Sequence, residues 1–157
     1  MRTKWKPYVI SVAIALAVGA LSAFLTRNNV NIYRYINKPA FAPPAIVFPI
    51  VWTILYVLMG ISSARIWLQK ENHPFEVMDA LLSYAIQLIL NFFWAIIFFN
   101  MQTFLFAFIW LVVLWVAILK MIFKFSLLDK IAAYLNIPYV LWVTFAGYLN
   151  FMIYLLN

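Results

Sequence analysis

The stretch Ala80–Phe99, ALLSYAIQLILNFFWAIIFF, decides the fold. It carries no charged residue. A helix rises about 1.5 Å per residue and the hydrocarbon core of a bilayer is about 30 Å thick, so about 20 such residues cross it. Working outward, the pattern recurs on both sides. Tyr8–Thr26 and Ala45–Ile66 precede it, the latter with Arg65 near its end. Thr103–Leu119 and Ile131–Leu156 follow it. Five spans consume most of the chain. The expected fold is an all-α membrane protein, a five-transmembrane-helix bundle, with 1–157 as a single membrane domain.

Composition agrees. Of 157 residues, 68% are apolar and 10% charged, against about 45–50% and about 25% in soluble domains. Such a chain cannot cover a water-facing surface. Cysteine is absent, which excludes disulfides and thiol chemistry. A net charge of +7 would point to nucleic acid in a soluble protein. Here the basic residues cluster at the ends of apolar runs, where they report orientation, and no nucleic-acid partner is expected. Arg2, Lys4, Lys6, Arg65, Lys70, Lys120, Lys124 and Lys130 fall on one side, and Arg27, Arg34 and Lys38 on the other. This bias predicts an N-terminus inside and a C-terminus outside a bacterial cell membrane. The first run exceeds the 7–15 residues of a signal-peptide core and reads as a retained helix.

Local signals punctuate the spans. Pro7, Pro44 and Pro74 stand where helices begin, since a first-turn N–H is unpaired anyway. Ser126 and Asp129 have capping-box spacing ahead of the fifth span. Pro49 and Pro138 fall inside helical patterns and predict kinks. Asn100–Gln102 predicts a tight hairpin between the third and fourth spans.

The chemistry available is narrow. Glu71, Glu76, Asp79 and Asp129 lie outside the apolar spans, and so does His73, the single histidine, read as a cap or surface residue. Proton-coupled transporters place ionisable groups within the membrane, so that class is disfavoured. No metal cluster, hydrolytic triad or phosphate loop can be assembled, and no cofactor is required. What remains is aromatic and amide. Phe48, Trp52, Tyr56 and Ser63, with Met59, share a stripe of the second span. Gln87, Asn91, Trp94 and Phe98 share one of the third, and Trp142, Phe145, Ala146, Leu149 and Asn150 one of the fifth. These rows either pack the bundle through rings and amide bonds or wall a cavity for a flat apolar ligand. Ala146 leaves room beside Trp142. In the first span, Ala15, Gly19 and Ala23, like Ala13 and Ala17, permit close helix approach, within the bundle or across a dimer. The long connection Arg27–Pro44 holds Tyr33, Tyr35, Phe41, Arg34, Lys38, Pro39 and Pro43. It reads either as a cover over the cavity, with Arg34 and Lys38 pairing ligand carboxylates, or as an interfacial anchor.

Three motifs carry a family resemblance. Lys38-Pro39-Ala40-Phe41-Ala42-Pro43-Pro44 is followed by Val51-Trp52, Leu55-Tyr56 and Met59-Gly60. Leu90-Asn91-Phe92-Phe93-Trp94 comes with Phe98-Phe99. Pro138-Tyr139, Trp142, Phe145-Ala146 and Leu149-Asn150 complete the set. Together they resemble the translocator protein family, the TspO/MBR or peripheral benzodiazepine receptor group, and a bacterial member of it. The resemblance implies a dimeric five-helix bundle that binds tetrapyrroles such as protoporphyrin or haem, as ligand or substrate, together with isoquinoline carboxamides and benzodiazepines. It also implies light- and oxygen-dependent porphyrin breakdown or a part in stress responses. By that resemblance Trp52 and Trp142 are pocket tryptophans with a redox or oxidant-trapping role. Ala146 and Leu149 line the pocket, Asn91 and Trp94 belong to the third-helix motif, and Tyr33 and Pro43 to the cover. Phe48, Tyr56 and Phe145 join the ligand set from the stripes above. A sensor or carrier without catalysis is the alternative. The C-terminal cholesterol motif of animal members is missing, because no base follows Tyr154.

Overall fold

The computed structural model describes residues 5–157. Arg2 and Lys4, used in the charge count, lie outside the described residues. Seven α-helices appear among the described residues: α1 Trp5–Thr26, α2 Ile32–Tyr35, α3 Val47–Trp67, α4 Pro74–Ala95, α5 Phe104–Leu128, α6 Lys130–Tyr134 and α7 Ile137–Leu156. No strand occurs among them. Five segments are long and apolar enough to cross a membrane, the last formed by α6 and α7 together. α1 packs along α3, α4 along α5, and α5 along α7.

Side-chain volume sets the closest approach. A Cβ on Gly60 would lie 2.4 Å from Val12 Cα, so α1 and α3 cross backbone to backbone there. A Cβ on Gly19 would lie 2.4 Å from Tyr56 Cε2, so that glycine makes room for a ring. Ala15 is fully buried in the same seam, whereas Ala13, Ala17 and Ala23 face outward. The small residues of α1 thus divide between the bundle and the outer face.

Several local expectations change. The fourth span continues past Leu119 to Leu128. Lys120 and Lys124 extend it without cost, because lysine stems lie along apolar surface while their heads reach outward. Lys124 Nζ meets Asp79 at 2.9 Å. Ser126 is therefore inside α5 and donates to the Phe123 carbonyl at 2.6 Å. The cap is Asp129 itself, whose Oδ1 accepts from Ile131 N–H at 2.9 Å and Ala132 N–H at 3.4 Å. Asp129 also holds Arg65 Nε at 2.8 Å, fastening the end of α3 to the start of α6. Pro44 precedes α3, and Pro49 occupies its first turn, where no hydrogen bond is lost. Pro138 likewise sits in the first turn of α7, just after the break at Leu135–Asn136. The break is tied down: Asn136 Nδ2 donates to Ser62 Oγ at 2.7 Å. Beyond α4 the chain widens into a π turn, Ile96–Asn100, closed by Met101 N–H to the Ile96 carbonyl at 3.1 Å. Gln102 then reverses it at φ 53°.

Candidate functional site

The connection expected to cover the site contains α2. Its Tyr33 turns inward and is 7% exposed, while Arg34 and Tyr35 point outward. Tyr33 OH donates to the Pro43 carbonyl at 2.6 Å, closing the connection on itself. Burial pushes the Tyr33 phenol above its usual pKa, which keeps it a donor. Lys38 is also committed: its Nζ donates to the Tyr33 carbonyl and lies 4.7 Å over the Tyr33 ring. Of the two expected carboxylate partners, Arg34 is the one whose guanidinium stays at the surface.

From Tyr33 a row of rings runs into the bundle. Tyr33 meets Phe48 edge-on at 5.0 Å, Phe48 meets Trp142 at 5.6 Å, and Trp142 meets Phe145 at 5.6 Å. Trp52 stands beside this row, 5.7 Å from Tyr56 and 6.2 Å from Tyr139. α3 and α7 therefore meet mainly through rings rather than close backbone approach. Ala146 and Leu149 are buried on the same side of α7, 5% and 3% exposed. Within the row, the Trp142 Nε1–H is shut off from its surroundings and has no acceptor.

Below the rings lies a buried polar row. Tyr56 OH donates to Asn91 Oδ1 at 2.6 Å, Asn91 Nδ2 donates to Tyr139 OH at 2.7 Å, and Tyr139 OH donates to Gln87 Oε1 at 2.7 Å. Asn91 thus joins three helices, and its amide is spent on the bundle. Asn91→Leu should cost roughly 1–3 kcal/mol, because it strands the buried Tyr56 hydroxyl, while Tyr139 keeps its bond to Gln87. Thermal unfolding of the detergent-solubilised protein should fall by about 5–10 °C. Adding Tyr56→Phe should recover part of that loss, since the double variant no longer strands the Tyr56 hydroxyl. An additive double variant would show that the two groups are not coupled.

Trp94 packs against the same core as Trp52 and Trp142 and also reaches a second cluster. Its Nε1 donates to Asn150 Oδ1 at 3.1 Å, and its ring packs on Phe98 at 5.2 Å. Asn150 in turn donates to the Phe104 carbonyl at 2.8 Å. This second cluster surrounds the π turn. Tyr139 belongs with the site although sequence reasoning placed it only in a motif. Its spacing of three residues before Trp142 was the available signal. A separate groove of about 290 Å³ lies between α5 and α7, walled by Phe108, Trp115, Tyr148 and Phe151, and holds none of the candidate residues. Among the described residues no three acidic or histidine side chains gather to hold a metal.

The family model described as the TspO/MBR family matches residues 11–156. The chain is 39% identical to "Tryptophan-rich protein TspO" of Chlorobaculum tepidum over 153 residues, 94% of each chain. It is 37% identical to the protein of the same name in Archaeoglobus fulgidus, over 95% of each. To "Tryptophan-rich sensory protein" of Cereibacter sphaeroides it is 38% identical, over 80% of this chain and 76% of that one.

Proposed function

The chain belongs to the TspO/MBR family, and from that premise we propose that it binds a flat tetrapyrrole, protoporphyrin or haem, among Tyr33, Phe48, Trp52 and Trp142. With five helices fit to cross a bilayer, it is an integral membrane protein. The observation that carries the binding reading is the Trp142 indole N–H, buried in an aromatic row and lacking an acceptor. A buried donor left unpaired is costly. A ligand carbonyl or carboxylate laid against Trp142 removes that cost, and the surrounding rings supply stacking surface. The same features suit isoquinoline carboxamides and benzodiazepines. Of Arg34 and Lys38, Arg34 is the one left to pair a propionate at the rim.

The bound porphyrin is also a photochemical substrate in this proposal. Light excites the ring, the ring passes its energy to dioxygen, and the oxidant formed attacks the porphyrin. In this reading Trp52 and Trp142 are the electron-rich indoles that react with that oxidant beside the ring and channel the oxidation into one product, so the reaction depends on them. A second reading, a sensor without catalysis, is favoured by the name of the Cereibacter relative. Absorbance of protoporphyrin with purified protein, illuminated and dark, separates them. The expected result is a light-dependent loss giving one defined product, absent in Trp52→Phe/Trp142→Phe while binding persists. Equal bleaching in the variant assigns the protein to sensing or carriage. The proposal further places the protein in a bacterial cell membrane as a homodimer, N-terminus inside, which cysteine labels at positions 31 and 157 test on a chain that has no cysteine of its own.

A further inference from the structure

The covering connection is held at its middle by the end of α7. Asn37 N–H donates to Asn157 Oδ1 at 3.1 Å, and Asn157 Nδ2 donates back to the Asn37 carbonyl at 2.9 Å. Asn37 Nδ2 donates to the Leu156 carbonyl at 3.1 Å. These bonds join positions 120 residues apart in the chain. Asparagine suits the task because a planar amide presents donor and acceptor together, as a main-chain peptide does. Asn157 is itself aimed, since its Nδ2 also meets the Ile153 carbonyl at 2.7 Å.

The location gives the clasp its consequence. Asn37 lies between Tyr33, which rests on Phe48, and Pro43, which accepts from Tyr33. A ligand that reaches Trp142 past Phe48 must displace this segment. Both asparagines are exposed, so water competes for their bonds. The Asn157 side chain bonds the main chain of Asn37, and the Asn37 side chain bonds that of Leu156, so the segment is fixed from both sides.

We propose that Asn37 and Asn157 are positioning residues forming a clasp that sets the rate of ligand exchange at the aromatic site. The inference rests on the binding reading above and concerns its regulation. Closing the clasp slows entry and exit together and leaves affinity nearly unchanged, because neither residue touches the ligand in this arrangement.

The test uses the full chain with protoporphyrin as the probe and tryptophan fluorescence quenching as the readout. Asn157→Ala should raise the association and dissociation rates together, each by about tenfold for the loss of the paired hydrogen bonds. Asn157→Asp keeps the acceptor for Asn37 N–H, loses the donor, and should fall between. Asn37→Cys/Asn157→Cys supplies the chain's two cysteines. Oxidised, it should exchange ligand at least about tenfold more slowly than wild type, and reductant should restore the rate. Wild-type rates in both Asn157→Ala and the oxidised pair would overturn the proposal, even if Asn157→Ala frays the last turn of α7. If protoporphyrin quenches nothing in any form, the binding reading fails instead. Amide hydrogen exchange over 33–43 then decides the clasp: faster exchange in Asn157→Ala supports it, and unchanged exchange rejects it.

Discussion

Gly60→Ala should lower the unfolding temperature by about 3–8 °C, while Gly147→Ala should leave it level or raise it slightly. Both sit inside long helices, and alanine in place of glycine gains about 1 kcal/mol in a helix interior. What differs is the space. At Gly147 an added Cβ meets only Leu111 Cδ2, at an ordinary 3.8 Å. At Gly60 it meets Val12 Cα at 2.4 Å and Val12 N at 2.7 Å. Those are backbone atoms, so no rotamer change relieves the clash. α1 as a whole must move away from α3, and overpacking of this kind costs about 1–3 kcal/mol or more. The clash outweighs the helix gain. The effect also reaches the site, because Gly19 on the same seam leaves room for the Tyr56 ring that bonds Asn91. Differential scanning fluorimetry on the two single variants checks the contrast. Equal melting temperatures would refute the close crossing of α1 and α3.

The spans were legible because a bilayer imposes length and apolarity that no soluble fold needs, and Ala80–Phe99 already meets both. The aromatic stripe Phe48, Trp52, Tyr56 was legible too, since helical spacing puts those residues on one face whatever they touch. What they touch was not. Trp94 keeps the same spacing relative to Asn91 as a site residue would, and it packs on that core, yet its indole N–H and ring also engage Asn150 and Phe98 in a second cluster, and that choice depends on how α4 is rotated against α7. The π turn at Ile96–Asn100 leaves no mark in a run of four large apolar residues. Ser126 resembled a cap because Lys120 and Lys124 looked like the end of a span, whereas both lysines reach outward from a helix that continues. The Asn37–Asn157 contact joins residues 120 positions apart, and no local pattern signals it. Local chemistry is written in spacing, but contacts between helices depend on rotation and register, which this sequence encodes only through the sum of its packing.

Trp142→Phe should weaken a carbonyl-bearing ligand by about tenfold while shifting the stability of the unliganded protein by less than about 1 kcal/mol. The two effects arise from the same atom. In the unliganded protein the Trp142 Nε1–H is buried without an acceptor, so removing it relieves a penalty of about 1–3 kcal/mol. The smaller phenyl ring gives back a similar amount by loosening contact with Phe48 and Phe145. With ligand bound, the N–H gains its partner, and its loss costs about 1.4 kcal/mol, a factor of ten. Trp52→Phe differs. Its ring lies tilted beside Tyr56 and edge-on to Tyr139, and phenylalanine keeps an aromatic face there, so affinity should fall less than about threefold. Fluorescence titration with protoporphyrin and with an isoquinoline carboxamide, alongside thermal unfolding of each apo variant, measures both quantities. A larger loss at Trp52 than at Trp142 would move the ligand's acceptor away from the Trp142 indole. A ligand with no carbonyl or carboxylate should lose almost nothing at Trp142, because shape alone does not need that hydrogen.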